Sequence, residues 1–508
     1  MIKENWIRAS VAAVGALVAA NASGQVLTAS CLDPAVQLVV EEARLPNTLP
    51  ENSNPAILQT KSFAQQMIEG AGFQDFGPAF VNDLCGIPKL SVAKNLALHK
   101  GEELWHMAID RAQQRVATVG DLPYSDDRPL YWARLQVRAA LRQWVPKFEL
   151  SAADRADLIT TFDRASRGMF DIKFPAGKGV KRLIFSGFDP YTLDGGPRGT
   201  APGAVGNNIR HGNPSGATVL ATDGTQHVTP DGTTVFIEAY VLPVNYPEFE
   251  QGYLEDTVGP FMLAGPRQVN ASVTVSQAGP DQFNLEMWNG RYHGPTIGND
   301  NIAYCPSVPN PTPPPNTIPQ LAVNNHNCNI VVVERWGGPP TFQLFNPPQW
   351  TTGSLPFEKM IAANTGASIP RPPGDGWNAD ANAFGVIWHT NYTEFPDCNS
   401  ITRITRNSIA SYIPTPLPLP PVGSTGMPPT SWPAVPPDAG SCSNSGGGGN
   451  YLSNESAYRN TLLRDRLGLN IPAGHIHTRA CSISKRTSFP AIRRSTHGDW
   501  RSSIRVKT

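Results

Sequence analysis

Along the first third of the chain, apolar residues return every three or four positions, the spacing of one helical face. Leu130, Ala133, Val137, Leu141 and Trp144 form such a stripe. It follows Asp126-Asp127-Arg128-Pro129, a helix start with acidic residues ahead of a first-turn proline. Ser151 with Asp154 resembles a capping box for a helix continuing through Leu158, Phe162 and Ala165, which Gly168 can end. Gly101 to Ala117 is another amphipathic stretch. Residues from about 26 to 175 therefore read as helical. His99 and His106 in this region read as surface or packing residues.

The texture changes near Val180. Leu183-Ile184-Phe185 reads as a strand that ends in a turn at Asp189-Pro190, and Val235 to Val244 and Val273 to Val275 read as further strands. Asn329-Ile330-Val331-Val332-Val333 has the length of a buried strand, and Leu355 to Ala363 has the pattern of a helix with Pro356 near its start. Strands alternating with helices predict an α/β fold: a central twisted mixed sheet flanked by helices, preceded by a mainly α-helical N-terminal region.

Composition adds compartment and boundaries. Lys3 and Arg8 precede a short apolar run from Ala9 to Ala20, and Ala20-Asn21-Ala22 fits small-residue cleavage, so residues 1–24 read as a signal peptide. A secreted or periplasmic protein with no membrane span is expected. The 508 residues carry 41 basic and 41 acidic side chains, a balance that gives no reason to expect a nucleic-acid partner. Glycine (45) and proline (49) are abundant, which points to long ordered loops. Proline-rich inserts lie near 305–320 and 413–438. The expected organisation is a helical region over 25–178, an α/β domain over 179–480 and a basic tail over 481–508. Seven cysteines follow the signal, and export makes disulfides plausible; the pairs considered are Cys31–Cys85, Cys305–Cys328 and Cys398–Cys442, leaving Cys481 over. Their spacing contains no CxxC pair, and neither a metal nor a cofactor is expected.

The chemistry concentrates near the C-terminus. Gly448-Gly449-Asn450-Tyr451-Leu452-Ser453-Asn454 is a small-residue turn followed by a hydroxyl, which suits backbone N–H groups approaching a carbonyl beside a nucleophile. Gly474-His475-Ile476-His477-Thr478 supplies two candidate bases that strand alternation puts on one face.

Four segments, in order, resemble the type I pyroglutamyl peptidases (pyrrolidone-carboxylate peptidases). They are Ser186-Gly187-Phe188-Asp189-Pro190-Tyr191, Asn213-Pro214-Ser215, Gln277-Ala278-Gly279-Pro280 running to Leu285-Glu286, and Ser443-Asn444-Ser445 through Asn454. The resemblance implies Ser453 as nucleophile, His477 as base, Glu286 as the acid that orients the base, Gly448 and Gly449 as the oxyanion-binding turn, and Phe188 and Tyr191 as walls of a pyroglutamyl pocket. His477 rather than His475 fits the family's histidine position.

The chain departs from that family at several places. Serine stands where the family has cysteine, Met287 replaces an arginine after the glutamate, and Glu286 is one residue short of the family spacing. Cys442 lies eleven positions upstream of Ser453 and reads as a disulfide partner rather than a displaced nucleophile. The expected function is an exported hydrolase that removes N-terminal pyroglutamyl or similar cyclic residues from peptides or proteins by acyl transfer. The alternative is an inactive relative that binds peptide N-termini.

Overall fold

A computed structural model describes residues 26–117, 120–277, 282–294, 296–302, 347–363, 365, 385–398, 400, 402–406 and 435–478, with strand pairing also at 333–334 and 342–343. The expected signal, the basic tail and most of both proline-rich inserts lie outside the described residues, as do Ala278-Gly279-Pro280, Asn329 to Val332, and Cys305, Cys328 and Cys481. By its internal contacts the chain divides into two compact units. One comprises Met1–Asp171 with Thr192–His211, the other Ile172–Tyr191 with Gly212–Thr508.

The first unit is helical: α1 Phe63–Gly70, α2 Phe76–Cys85, α3 Leu90–Ala112, α4 Arg128–Gln143 and α5 Ala152–Ala165. Ser62 and Ser151 cap α1 and α5 by accepting from the backbone N–H three residues on, at 3.2 and 3.0 Å. The α3 helix starts eleven residues before the Gly101 expected from its pattern; its N-cap, Lys89, offers no side-chain cap to announce that start. Cys31 and Cys85 lie at disulfide distance, with Cα atoms 5.5 Å apart.

Helix α4 carries the apolar stripe read from the sequence, but its other face is buried as well. The arginines there are held by fixed partners. Arg138 binds the Asp163 carboxylate at 3.2 Å, as does Arg167 from just beyond α5 at 2.8 Å. Arg134 donates to the Ser166 hydroxyl and carbonyl at 3.0 and 3.1 Å. Burial alone would raise the Asp163 carboxyl, yet Arg167 and Arg138 hold it far below the usual carboxylate range.

The second unit is built on a seven-stranded sheet. Its strands are β1 Val180–Phe188, β2 Thr225–Val228, β3 Thr234–Leu242, β4 Ala271–Gln277, β5 Gln282–Glu286, β10 Gly385–His389 and β14 Ala473–Thr478, in the order β10-β5-β14-β4-β1-β3-β2. Small pairings elsewhere join β6 Trp288–Gly290 to β9 Trp350–Thr352, β7 Val333–Glu334 to β8 Phe342–Gln343, and β11 Tyr392–Phe395 to both β12 Ile404–Arg406 and β13 Cys442–Ser445. The central run β14-β4-β1-β3 is parallel; β5 runs antiparallel to β14, and β2 to β3. The sheet is therefore mixed and is flanked by helices, as the alternation of elements predicts.

Those helices are α6 Pro214–Thr222, α7 Tyr246–Glu250, α8 Tyr253–Met262, α9 Phe357–Ala362 and α10 Leu452–Arg466. Strand β4 shows how the sheet is covered. Val273 and Val275 pack with Leu355 in an apolar cluster. Ser272, Thr274 and Ser276, equally buried, turn to polar partners: Ser272 donates to Asn460 of α10 at 2.5 Å, and both Thr274 and Ser276 bind His475. Cys398 and Cys442 also lie at disulfide distance, with Cα atoms 5.1 Å apart. No helix among the described residues is long and apolar enough to cross a membrane.

Candidate active site

Three neighbouring strands bring the titratable groups together. Glu286 ends β5, the middle strand of β10-β5-β14. His389 ends β10 directly in register with Glu286, and on the other side Glu286 is paired with His475 of β14. Because strand side chains alternate, His475 and His477 share a face with Glu286. The two histidines then take different partners. The ring nitrogens of His475 meet Thr274 Oγ1 and Ser276 Oγ, each at 2.8 Å, and burial holds that imidazole well below its ordinary pKa. His477 Nδ1 instead meets Glu286 Oε1 at 2.6 Å. Of the two candidate bases, His477 is thus the one joined to a carboxylate.

Glu286 is fully buried, and its second oxygen is held by His389 Nδ1 at 2.5 Å. Burial would raise this carboxyl, but His389 and then His477 outweigh it and hold Glu286 well below the carboxylate range. The effect on His389 is reciprocal: burial lowers it, the Glu286 charge and hydrogen bond overcome this, and its pKa is raised. Sequence reasoning does not single out His389. It stands 103 residues from Glu286, and only strand register reveals the pairing.

The glycine turn lies against this carboxylate. A side chain on Gly447 would put its Cβ 2.1 Å from Glu286 Oε2, so only glycine lets the backbone pass there. The turn closes on itself through reciprocal Gly446 and Gly449 hydrogen bonds at 2.9 and 3.0 Å, and Gly447 donates to the Trp288 carbonyl at 2.7 Å. A Cβ on Gly448 would lie 2.8 Å from the Asn454 nitrogen and 3.0 Å from the Ser453 carbonyl carbon. The turn therefore runs from the Glu286 carboxylate to the first turn of α10, where Ser453 sits partly buried. Gly448 is buried within it and Gly449 is exposed. The N-cap of α10, Tyr451, contributes no side-chain cap, which leaves first-turn N–H groups for another acceptor.

Asn454, the residue after Ser453, anchors this helix start. It is fully buried, accepts from the Gly290 N–H at 2.9 Å and donates to the Gly290 carbonyl at 2.6 Å. The strand that follows Glu286 and the helix that carries Ser453 are thereby tied together. The structure joins Glu286 to His477; among the described residues, Ser453 Oγ has no hydrogen bond to His477.

The first two motif segments hold each other. The Ser215 hydroxyl accepts from the Phe188 N–H at 3.0 Å and donates to Asn213 Oδ1 at 2.7 Å, while Asn213 Nδ2 donates to the Asp189 carbonyl at 2.9 Å. Phe188 is 3% exposed, with its ring centroid 6.3 Å from that of Phe249. Tyr191 is partly buried, which raises its phenol pKa.

Solved structures with a distant likeness to this chain are pyrrolidone carboxyl peptidases from the hyperthermophile Pyrococcus furiosus. One, a structure of the enzyme and its Cys-free mutant, is 12% identical with a TM-score of 0.27 and covers 59% of this chain and 81% of its own. A mutant of the same enzyme with an alanine replaced by proline is 13% identical with a TM-score of 0.27, covering 59% of this chain and 80% of its own. At that level the likeness is too weak to assign an activity. Sequence similarity is much stronger to "Uncharacterized protein PA0049" of Pseudomonas aeruginosa, 44% identical over 467 residues, or 87% of this chain and 80% of that protein. The family models for the PA0049 N-terminal and C-terminal domains match residues 20–163 and 182–482, and the chain belongs to the PA0049 family.

Proposed function

We propose that the protein is an exported hydrolase that releases N-terminal pyroglutamyl, or a similar cyclic residue, from peptides or proteins by acyl transfer through Ser453. The observation that carries this reading is the 2.6 Å contact between His477 Nδ1 and the buried Glu286 carboxylate, at the two positions that the family resemblance assigns to base and orienting acid. With Nδ1–H donated to Glu286, the lone pair of Nε2 is available to a nucleophile. As Ser453 Oγ bonds to the substrate carbonyl carbon, Nε2 takes the hydroxyl proton. The carbonyl oxygen, now an anion, is received by N–H groups of the glycine turn and the first turn of α10. Nε2 then gives its proton to the departing amine as the C–N bond breaks. Water attacks the ester in the same way and frees Ser453.

Two further observations support the setting. His389 fixes the second Glu286 oxygen, so the carboxylate keeps one orientation while His477 charges and discharges. The cysteine pairs at disulfide distance fit an oxidising compartment, where a serine nucleophile avoids oxidation and wrong disulfides. A second reading, a binding protein without turnover, is favoured by the absence of a Ser453–His477 hydrogen bond among the described residues. Hydrolysis of a pyroglutamyl amide by purified protein separates the two. The enzyme reading expects turnover that drops by about 10⁴-fold in Ser453→Ala at unchanged melting temperature. Calorimetric binding of a pyroglutamyl peptide without turnover would favour the second reading, and equal rates for wild type and Ser453→Ala would reject the mechanism.

A further inference from the structure

A second group of buried ionisable side chains gathers where α7, the segment after β6 and α10 meet. Glu250, His293 and Glu455 each present one ligand atom, and these atoms all lie within 4.8 Å of one another. His293 and Glu455 are both 1% exposed. Arg459, fully buried, binds this group from one side: it donates to Glu455 Oε1 at 2.9 Å, to Glu255 Oε1 at 2.8 Å and to Glu250 Oε1 at 3.2 Å.

Charge and geometry both leave something to be supplied. Three carboxylates face one guanidinium, so full ionisation leaves two negative charges inside the fold, a costly state unless a counter-charge is present. Arg459 occupies the Oε1 atoms. Glu455 Oε2 and Glu255 Oε2 are buried with no hydrogen-bond partner among the described residues. Glu455 Oε2 faces His293 Nε2 at 3.3 Å, in a geometry that is not a hydrogen bond. Two ligands on adjacent corners of a zinc tetrahedron, with bonds of about 2.0–2.2 Å, lie about 3.3–3.5 Å apart.

We infer that Glu250, His293 and Glu455 form a binding site for a divalent transition-metal cation, of which zinc is the model, with Arg459 fixing the carboxylates from behind. One imidazole with two carboxylates is a donor set that zinc accepts, and two positive charges balance the cluster. Glu250, whose side chain is 21% exposed, has room to close the remaining distance. The cation would link three segments that are far apart in sequence and brace α10 two residues beyond Ser453. The site does not depend on the proposed hydrolysis, since cation binding is read without substrate.

The test uses the full-length protein after dialysis against a chelator. Zinc is titrated by calorimetry, and thermal unfolding is followed with zinc and with magnesium. The inference expects one zinc bound per chain and a melting temperature that rises with zinc but not with magnesium. Affinity should fall at least tenfold in His293→Gln and in Glu250→Gln, the latter altering only a partly exposed group. No zinc-dependent rise, or zinc binding unchanged in Glu250→Gln and in whichever His293→Gln protein folds, would overturn it.

Discussion

The two units each bury charge, and they do so with different partners. In the first, Asp163 is enclosed by Arg138 and Arg167, cations that stay charged at any ordinary pH. In the second, Glu286 is enclosed by His389 and His477, imidazoles that can give up a proton. Both carboxyls are held far below their ordinary range. The degree of perturbation therefore does not separate structural from chemical charge; the ability of the partner to give up a proton does. The arginine network fixes helices, whereas the histidine pair is equipped to move a proton.

This contrast has consequences that differ in size and kind. The largest falls on Glu286→Gln. A neutral amide no longer stabilises a charged His477, and pyroglutamyl amide hydrolysis is expected to drop by about 10³-fold in kcat with KM little changed. Steady-state kinetics checks this, and an unchanged kcat would make the Glu286 pairing structural, like that of Asp163. Next comes Asp163→Asn, which removes a buried carboxylate shared by Arg138 and Arg167. It is expected to cost about 3–5 kcal/mol in denaturant unfolding while leaving kcat intact below the melting transition. A loss of kcat in the folded protein would mean that the arginine network also serves the reaction.

The strand positions were legible in apolar runs such as Leu183-Ile184-Phe185 and Val273 to Val275, because burial on a sheet writes itself as local composition. The start of α4 at Arg128-Pro129 and the Ser151 cap of α5 were legible for the same local reason. Glu286 and His477 stood out through motif order, and the glycines before Ser453 through their small-residue run. What was not legible depends on pairing across distance. His389 reaches Glu286 only through β10–β5 register, and Gly447 matters because its backbone lies on a carboxylate 161 positions earlier. The buried arginines of α4 read as a polar face, since sequence does not announce that Asp163 and Ser166 wait opposite. Glu250, His293 and Glu455 have no metal-ligand spacing because three separate elements contribute them.

The smallest expected effect concerns His389. Its folded pKa is raised, so its pairing with Glu286 stabilises fully below its ordinary 6.5 and is lost as pH rises through the higher folded value. Glu286 is depressed, so its contribution is full above its ordinary 4.5 and is lost as pH falls towards the folded value. Both contributions are present together between those two values. His389→Gln should therefore cost about 2 kcal/mol at pH 6, and the gap to wild type should narrow by pH 9. Chemical denaturation across that range reads the gap; a constant difference would mean that His389 acts by packing alone, as the fixed arginine pairs do.

The central claim is that Ser453 acts as a nucleophile served by His477 and Glu286. It is tested most directly by mixing the protein with an activated pyroglutamyl ester, quenching within the first turnover and sequencing its peptides by mass spectrometry. The account predicts one pyroglutamyl group in ester linkage on Ser453, absent in Ser453→Ala and accumulating far more slowly in Glu286→Gln. A label on another residue, or rapid release of the ester's leaving group in wild type with no label on Ser453, would contradict it.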